Sequence, residues 1–351
     1  LGIGGTSAGS INALLLAALG APGDAKSPKL LQELASLDFN RFIDGDGDAR
    51  DLIKAWINKA GKVKLAFKAV QCIDNLNERL GLNPGDEFRN WMGDLLRREN
   101  IHTAADLRAR MQLVPTGLRT RDGEPLDTPE KMKSDLAIVA ADVSTETKVV
   151  FPANADLYFA DPDNVDPALF VRASMSIPYF FEPMRINDLP QGPQAELRWS
   201  KVDFACGEEE CGVPDHALFV DGGIMSNFPI DAFHDYDASV PLAPTFGVKL
   251  EYDRRWHAID GPMDLFGAIF NSARHCLDYD FVRRNPEYSQ LVQHIPCTRY
   301  NWLDFNMSED SKRGLFREGA ERAIAFLQGF DWQRYKDYRQ QLHAAKRMLN
   351  G

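Results

Sequence analysis

The apolar residues change period several times along the chain, and each change marks an element. A short β-like lead, Leu1 and Ile3, runs through Gly5-Thr6-Ser7-Ala8-Gly9 into Ile11, Leu14, Leu15, Leu16, Ala18 and Leu19 at helical spacing. Strand, sharp turn and helix are predicted there, with the helix stopping at Gly20-Ala-Pro-Gly23. A short amphipathic helix is predicted over Leu30–Leu37. A longer one is predicted over Leu52–Ile73, where Leu52, Trp56, Ala60, Val63, Phe67 and Val70 alternate with Lys54, Lys59, Lys62, Lys64 and Lys68. Such a basic helix either packs its apolar face on the body or lies on a membrane surface; packing is the expectation, and Gly61 interrupts it. Phe88, Trp91, Met92, Leu95 and Leu96 form one helical face, and Ala104–Met111 is another short helix. Residues 38–132 read as a helical insertion or cap within a single domain of residues 1–351.

From Ser134 the pattern turns to strands. Leu136–Ala141 and Lys148–Phe151 flank a turn and predict a hairpin at a sheet edge. Phe170–Pro178 predicts a short helix ending before the proline. Ala217–Val220 is a strand ending in Asp221-Gly222-Gly223, and Pro244–Leu250 is another. Helices follow at Pro262–Val282, Ser311–Leu327 and Trp332–Leu349. Interleaved strands and helices are the mark of an α/β fold.

Charge and cysteine content narrow the function. A net charge of −11 over 351 residues argues against a nucleic-acid partner and against an overall basic field toward anionic lipid. Five scattered cysteines fit a reducing compartment without a disulfide framework. No apolar run has the length of a transmembrane helix. A cytoplasmic or peripheral-membrane protein is expected. The chain begins at Leu1, inside a predicted strand and without an initiator Met, so it reads as a fragment.

Two motifs carry chemistry. Gly5-x-Ser7-x-Gly9 between strand and helix is the setting of a nucleophile elbow. Gly5 and Gly9 are expected where a Cβ would crowd a neighbouring element. Ser7 would sit at the helix N-terminus, where backbone N–H groups favour negative charge, and the Ala8 N–H is the candidate oxyanion donor. Asp221 closes an apolar strand, and Gly222 and Gly223 are expected to let the backbone turn and leave the carboxylate accessible. None of the seven histidines stands in a strand-end motif, and each reads as a surface or packing residue.

Two other stretches imitate metal sites. Asp44-Gly-Asp-Gly-Asp48 begins like a calcium loop, but Ala49 and Ala55 stand where Gly and Glu are needed. A solvated acidic turn with Asp48 capping the next helix is expected instead. Cys206 and Cys211, beside Glu208, Glu209 and Glu210, have the wrong spacing for common zinc sites and read as an acidic loop. No metal or cofactor is expected.

Taken together, Gly-Thr-Ser7-Ala-Gly-Ser-Ile-Asn-Ala, Asp221-Gly-Gly and Asn227-x-Pro229 resemble the patatin-like phospholipase family. The Leu136–Phe151 hairpin, Arg172-Ala-Ser-x-x-x-Pro178 and Phe305-Asn-Met-Ser-Glu309 fit the same resemblance. It implies a mixed central sheet flanked by helices. It also implies a Ser-Asp dyad, with Ser7 as nucleophile and Asp221 as base. The implied substrate is a phospholipid or lysophospholipid acyl ester, or another lipid ester, with peripheral membrane contact. The family's glycine-rich oxyanion block, upstream of the elbow, has no counterpart after Leu1, so the chain as it stands is expected to be poorly active. Two alternatives stay open: a Ser-His-Asp esterase with His275 or His294 as base, and a non-catalytic module that binds lipid or a partner.

Overall fold

A computed structural model describes residues 2–57, 68, 72–119, 123–128, 134–204, 212–234, 238–241, 243–251, 256, 258–297, 299–300 and 307–350. The chain divides into two compact units, Leu1–Pro229 and Ile230–Gly351.

The first unit opens with β1 (Gly2–Thr6) and α1 (Ala8–Ala18), followed by α2 (Ser27–Ala35) and α3 (Gly47–Ile57). Next come α4 (Ile73–Arg79), β2 (Gly81–Asn83), α5 (Asp86–Arg98) and α6 (Ala104–Met111). The hairpin β3 (Asp135–Asp142) and β4 (Thr147–Phe151) leads into α7 (Ala155–Tyr158) and α8 (Ala168–Ser174). The unit closes with β5 (Tyr179–Phe181), β6 (Met184–Asn187), α9 (Pro193–Ser200), β7 (His216–Asp221) and α10 (Gly223–Ser226).

The main sheet is mixed and built around β3. Seven consecutive residues of β3 are buried, so both of its faces are covered. β4 pairs antiparallel along one edge of β3, from Ile138↔Phe151 to Asp142↔Thr147. The other edge is shared. β1 runs parallel along the first half, ending at Thr6↔Val139, and β7 runs antiparallel along the second half, beginning at Asp221↔Ala140. β6 continues the sheet beyond β7. The hairpin is therefore not at an edge as its sequence suggests: β4 is peripheral, but β3 is central, and its near-unbroken apolar run is that of a strand buried on both faces. α1 and α8 both pack against β3.

Aromatic residues fill this unit. Phe151 stacks on Phe170 with ring centroids 4.8 Å apart and also meets Tyr158 and Phe219; all four are fully buried. A second cluster joins Phe42 to Phe88 and Trp91 on α5, and Phe88 to Phe181 on β5. The expected α5 face is buried as patterned. β2 pairs parallel with β5, and buried Asn83 donates to the Phe180 carbonyl at 2.8 Å. The segment carrying β2 and α5 is thus tied to β5 by a ladder as well as by packing.

The aspartates of the acidic turn serve as helix caps. The Asp44 carboxylate accepts the N–H groups of Gly85 (3.1 Å) and Glu87 (3.0 Å) at the start of α5. Asp46, rather than Asp48, caps α3 by accepting the Ala49 N–H at 2.9 Å. Asp48 falls inside the first turn, where its charge suits the helix dipole.

In the second unit, β8 (Gly247–Glu251) and β9 (Val292–Pro296) form a parallel pair joined through α11 (Pro262–Arg284). A parallel pair needs such a crossover. α12 (Glu309–Gly329) packs on β9, and α13 (Trp332–Asn350) anchors through buried Tyr335 and Arg339. Arg339 pairs with buried Glu287 at 3.1 Å and donates to the Ala238 carbonyl. β9 carries the strand formers Val292 and Ile295, but the polar pair Gln293-His294 between them breaks the alternation that marks a strand in sequence.

Most of the predicted basic helix, the loop from Cys206 to Cys211, and Phe305 lie outside the described residues; within them, Lys68 pairs with Asp51 at 2.8 Å. Among the described residues no helix is long and apolar enough to cross a membrane. Replacing Phe151 by Ala removes the ring at the centre of the aromatic core. It is expected to lower the unfolding free energy by about 3–5 kcal/mol, read from the urea midpoint.

Candidate active site

The site grows out of the shared edge of β3. Thr6 and Asp221 pair with consecutive β3 residues, Val139 and Ala140, and they are the last residues of strands running toward each other. The next residue after Thr6 is Ser7, so sheet register brings the serine to the end of the strand that carries the aspartate. The Ser7 hydroxyl donates a hydrogen bond to Asp221 Oδ2. Asp221 is 2% exposed, and its other oxygen, Oδ1, accepts the Gly223 N–H at 2.7 Å. One carboxylate oxygen is therefore held by the backbone while the other faces the serine.

Ser7 has φ 54° and ψ −128°, a conformation L-residues rarely adopt. Such a residue stores on the order of 1–3 kcal/mol and persists only where its surroundings impose it. Here they do. The Ser7 N–H donates to the Ser174 hydroxyl at 2.9 Å, and the Ser7 carbonyl accepts from the Ser10 hydroxyl at 2.6 Å and the Ser10 N–H at 2.8 Å. The Thr6 hydroxyl donates to the Ser226 carbonyl at 2.8 Å, tying the end of β1 to α10. Ala8 opens α1 and is exposed, and the first N–H groups of a helix have no intrahelical partner.

The four motif glycines have different reasons. A Cβ on Gly5 would lie 2.1 Å from the Gly9 carbonyl oxygen, so the elbow cannot close without glycine there. A Cβ on Gly9 would meet nothing within 4 Å, and the expected crowding at that position is absent. Gly222 has an ordinary φ of −60°, so it is not needed for a special turn. A Cβ on it would lie 2.1 Å from the Val139 carbonyl oxygen, so it is needed for the close approach of β7's end to β3. Gly223 supplies the N–H that holds Asp221.

The segment after α8 joins the site, a role not legible from its sequence. The Met175 thioether sulfur lies 3.6 Å from the Ser7 hydroxyl oxygen. The Ser176 carbonyl accepts the Asp221 N–H at 2.8 Å, and the Ser174 carbonyl accepts the Gly222 N–H at 3.2 Å. Buried Arg172 braces this segment: it donates to the Ser176 hydroxyl and to the carbonyls of Pro84 (2.6 Å) and Glu182 (2.8 Å), and it lies over the Phe181 ring. Burial lowers its guanidinium to about 10, against the pull of Asp44, Asp86 and Glu182. Arg172 and Ser174 belong to a recognisable motif, but nothing in the motif says what they touch.

Among the histidines, His102 is exposed and His216 pairs with Asp215 at 2.7 Å. His275 and His294 belong to the second unit, on α11 and β9. Among the described residues no cluster of His, Cys, Asp and Glu is arranged to hold a metal ion.

The family model of the patatin-like phospholipases matches residues 2–234, two thirds of the chain, and spans both motifs. The chain belongs to the patatin-like phospholipase family. The match runs through the segment 38–132 and ends before the Phe305 block. A protein of Bacillus subtilis (strain 168), described as uncharacterized protein YqhO, is 29% identical over 266 residues, covering 75% of this chain and 72% of its own. Membership makes this patatin-like protein a lipid hydrolase at the level of the family.

The two outer glycines of the elbow separate cleanly. Gly5→Ala is expected to cost at least about 2 kcal/mol, because the obstacle is backbone and cannot swing aside. Gly9→Ala, in open space within a helix, is expected to be neutral or to gain up to about 1 kcal/mol. Parallel urea titrations of the two variants check the difference.

Proposed function

We propose that this protein is a lipid acyl hydrolase that cleaves phospholipid or lysophospholipid acyl esters through a Ser7–Asp221 dyad. The observation that carries the proposal is the direct hydrogen bond from the Ser7 hydroxyl to Asp221 Oδ2. In this reading the carboxylate takes the hydroxyl proton as Oγ attacks the ester carbonyl carbon. The carbonyl oxygen becomes an oxyanion, and the Ala8 N–H at the positive end of α1 donates to it. The tetrahedral intermediate collapses, the C–O bond to the leaving alcohol breaks, and Asp221 returns the proton to that oxygen. A water then gives a proton to Asp221 and attacks the acyl-enzyme; the bond to Ser7 Oγ breaks, Asp221 returns that proton to Oγ, and the fatty acid leaves.

A carboxylate is a weak base at neutral pH, so proximity and the oxyanion donors must supply much of the rate. Two features support that division of labour. Asp221 is already in contact with the hydroxyl, and the Gly223 N–H fixes its orientation, so little reorganisation precedes attack. The substrate's bilayer setting makes contact with a membrane surface part of the proposal.

The test compares full-length parent, Ser7→Ala and Asp221→Asn on fluorogenic acyl esters and on phospholipid vesicles. Both changes are expected to lower turnover at least about 10³-fold. Activity that survives Asp221→Asn sinks the dyad and calls for a histidine base. A parent that binds vesicles but hydrolyses no ester makes the protein a non-catalytic lipid-binding module.

A further inference from the structure

Ser174 is wholly buried at the end of α8, yet its polar groups reach both halves of the site. Its hydroxyl accepts the Ser7 N–H at 2.9 Å and donates to the Val139 carbonyl at 2.6 Å. Its own carbonyl accepts the N–H of Gly222, the residue after Asp221, at 3.2 Å. Val139 is the β3 residue that pairs with Thr6, and its carbonyl is the atom against which Gly222 packs. These contacts close a ring. It runs from Ser7 through the Ser174 hydroxyl to Val139, and back through the Ser174 carbonyl to Gly222.

The ring solves a problem that the sheet leaves open. Register brings the ends of β1 and β7 together, but Ser7 and Asp221 both lie where the ladder stops. A residue with a positive φ needs its backbone groups held from outside β1. One hydroxyl does this for the Ser7 N–H, since it accepts with a lone pair and donates with its hydrogen at the same time. An alanine could do neither, and a larger polar side chain would have no room in a site with no exposure.

We infer that Ser174 is a positioning residue for hydrolysis: it holds the strained backbone of Ser7 and the turn after Asp221 at one spacing. The inference rests on the dyad reading given above. Ser174 touches no substrate atom in this account and acts only through Ser7 and Asp221. Arg172 sets the same segment from behind, through Ser176.

The test uses the full-length protein and two readouts that mere destabilisation does not move. One is the split between kcat and KM on a soluble acyl ester. The other is the rate at which a fluorophosphonate labels Ser7, measured on folded protein. Ser174→Ala is expected to lower kcat and the labelling rate together by about 10²-fold, the size of effect that a misplacement near 1 Å produces. KM should stay near the parent value. Phe42→Ala is the control: it weakens a buried aromatic cluster with Phe39, Phe88 and Trp91, away from α8 and β7, and is expected to keep the parent labelling rate while folded. If Ser174→Ala does not fold, Ser174→Cys, close in size but a weaker hydrogen bonder, takes its place with the same expected direction. A folded Ser174 variant with parent kcat and parent labelling rate overturns the inference, as does one whose KM alone rises. Turnover that survives Asp221→Asn is a different signature: it removes the base, and with it this role for Ser174.

Discussion

Two strands running in opposite directions end on neighbouring residues of β3, and the rest of the site depends on that pairing. β1 stops opposite Val139 and β7 stops opposite Ala140, along the same edge. An ordinary parallel or antiparallel neighbour would occupy the whole edge. Splitting the edge between two strands leaves a gap in the ladder where both chains must leave the sheet. Ser7 and Asp221 are the residues at that gap. A slip of one residue in either pairing would turn Thr6 or Asp221 to the opposite face and separate the pair.

A gap in a ladder leaves backbone groups without strand partners, and buried ones must find others. The 174–176 segment supplies them for Ser7, Asp221 and Gly222. α10 supplies another through the Ser226 carbonyl. The same crowding explains where glycine is indispensable. Gly5 and Gly222 sit where a backbone carbonyl would meet their Cβ, whereas Gly9 sits in the open. Strain at Ser7 is sustained because its surroundings over-determine it, and the strained residue is the one with a hydroxyl beside a carboxylate.

The segment carrying β2 and α5 is built into this arrangement. Arg172 bonds the carbonyl of Pro84, and Gly85, at φ +76°, leaves no room for a side chain against the guanidinium. Asp44 caps α5 at the same point. The entrance to α5, the β2–β5 pairing and the backbone that holds Ser7 and Asp221 therefore meet at one buried cation. Carbonyl dipoles of Pro84 and Glu182 and the carboxylates of Asp44, Asp86 and Glu182 balance its charge.

What the chain's own order of residues determined is local. The strand-turn-helix around Ser7, the apolar strand ending at Asp221 and the α5 face are legible because each depends on spacing within a few residues. The α/β class follows from their alternation, and the two motifs together point to the family. What only the tertiary structure decided is everything that depends on partners distant in sequence. Ser7 and Asp221 meet because of a register on β3, more than a hundred residues from Ser7. The central place of β3, the capping of α5 by Asp44, and the contacts of Arg172 and Ser174 come from the same source. A hydroxyl's partners are set by what the fold brings within about 3 Å, and no periodicity in the sequence records that distance.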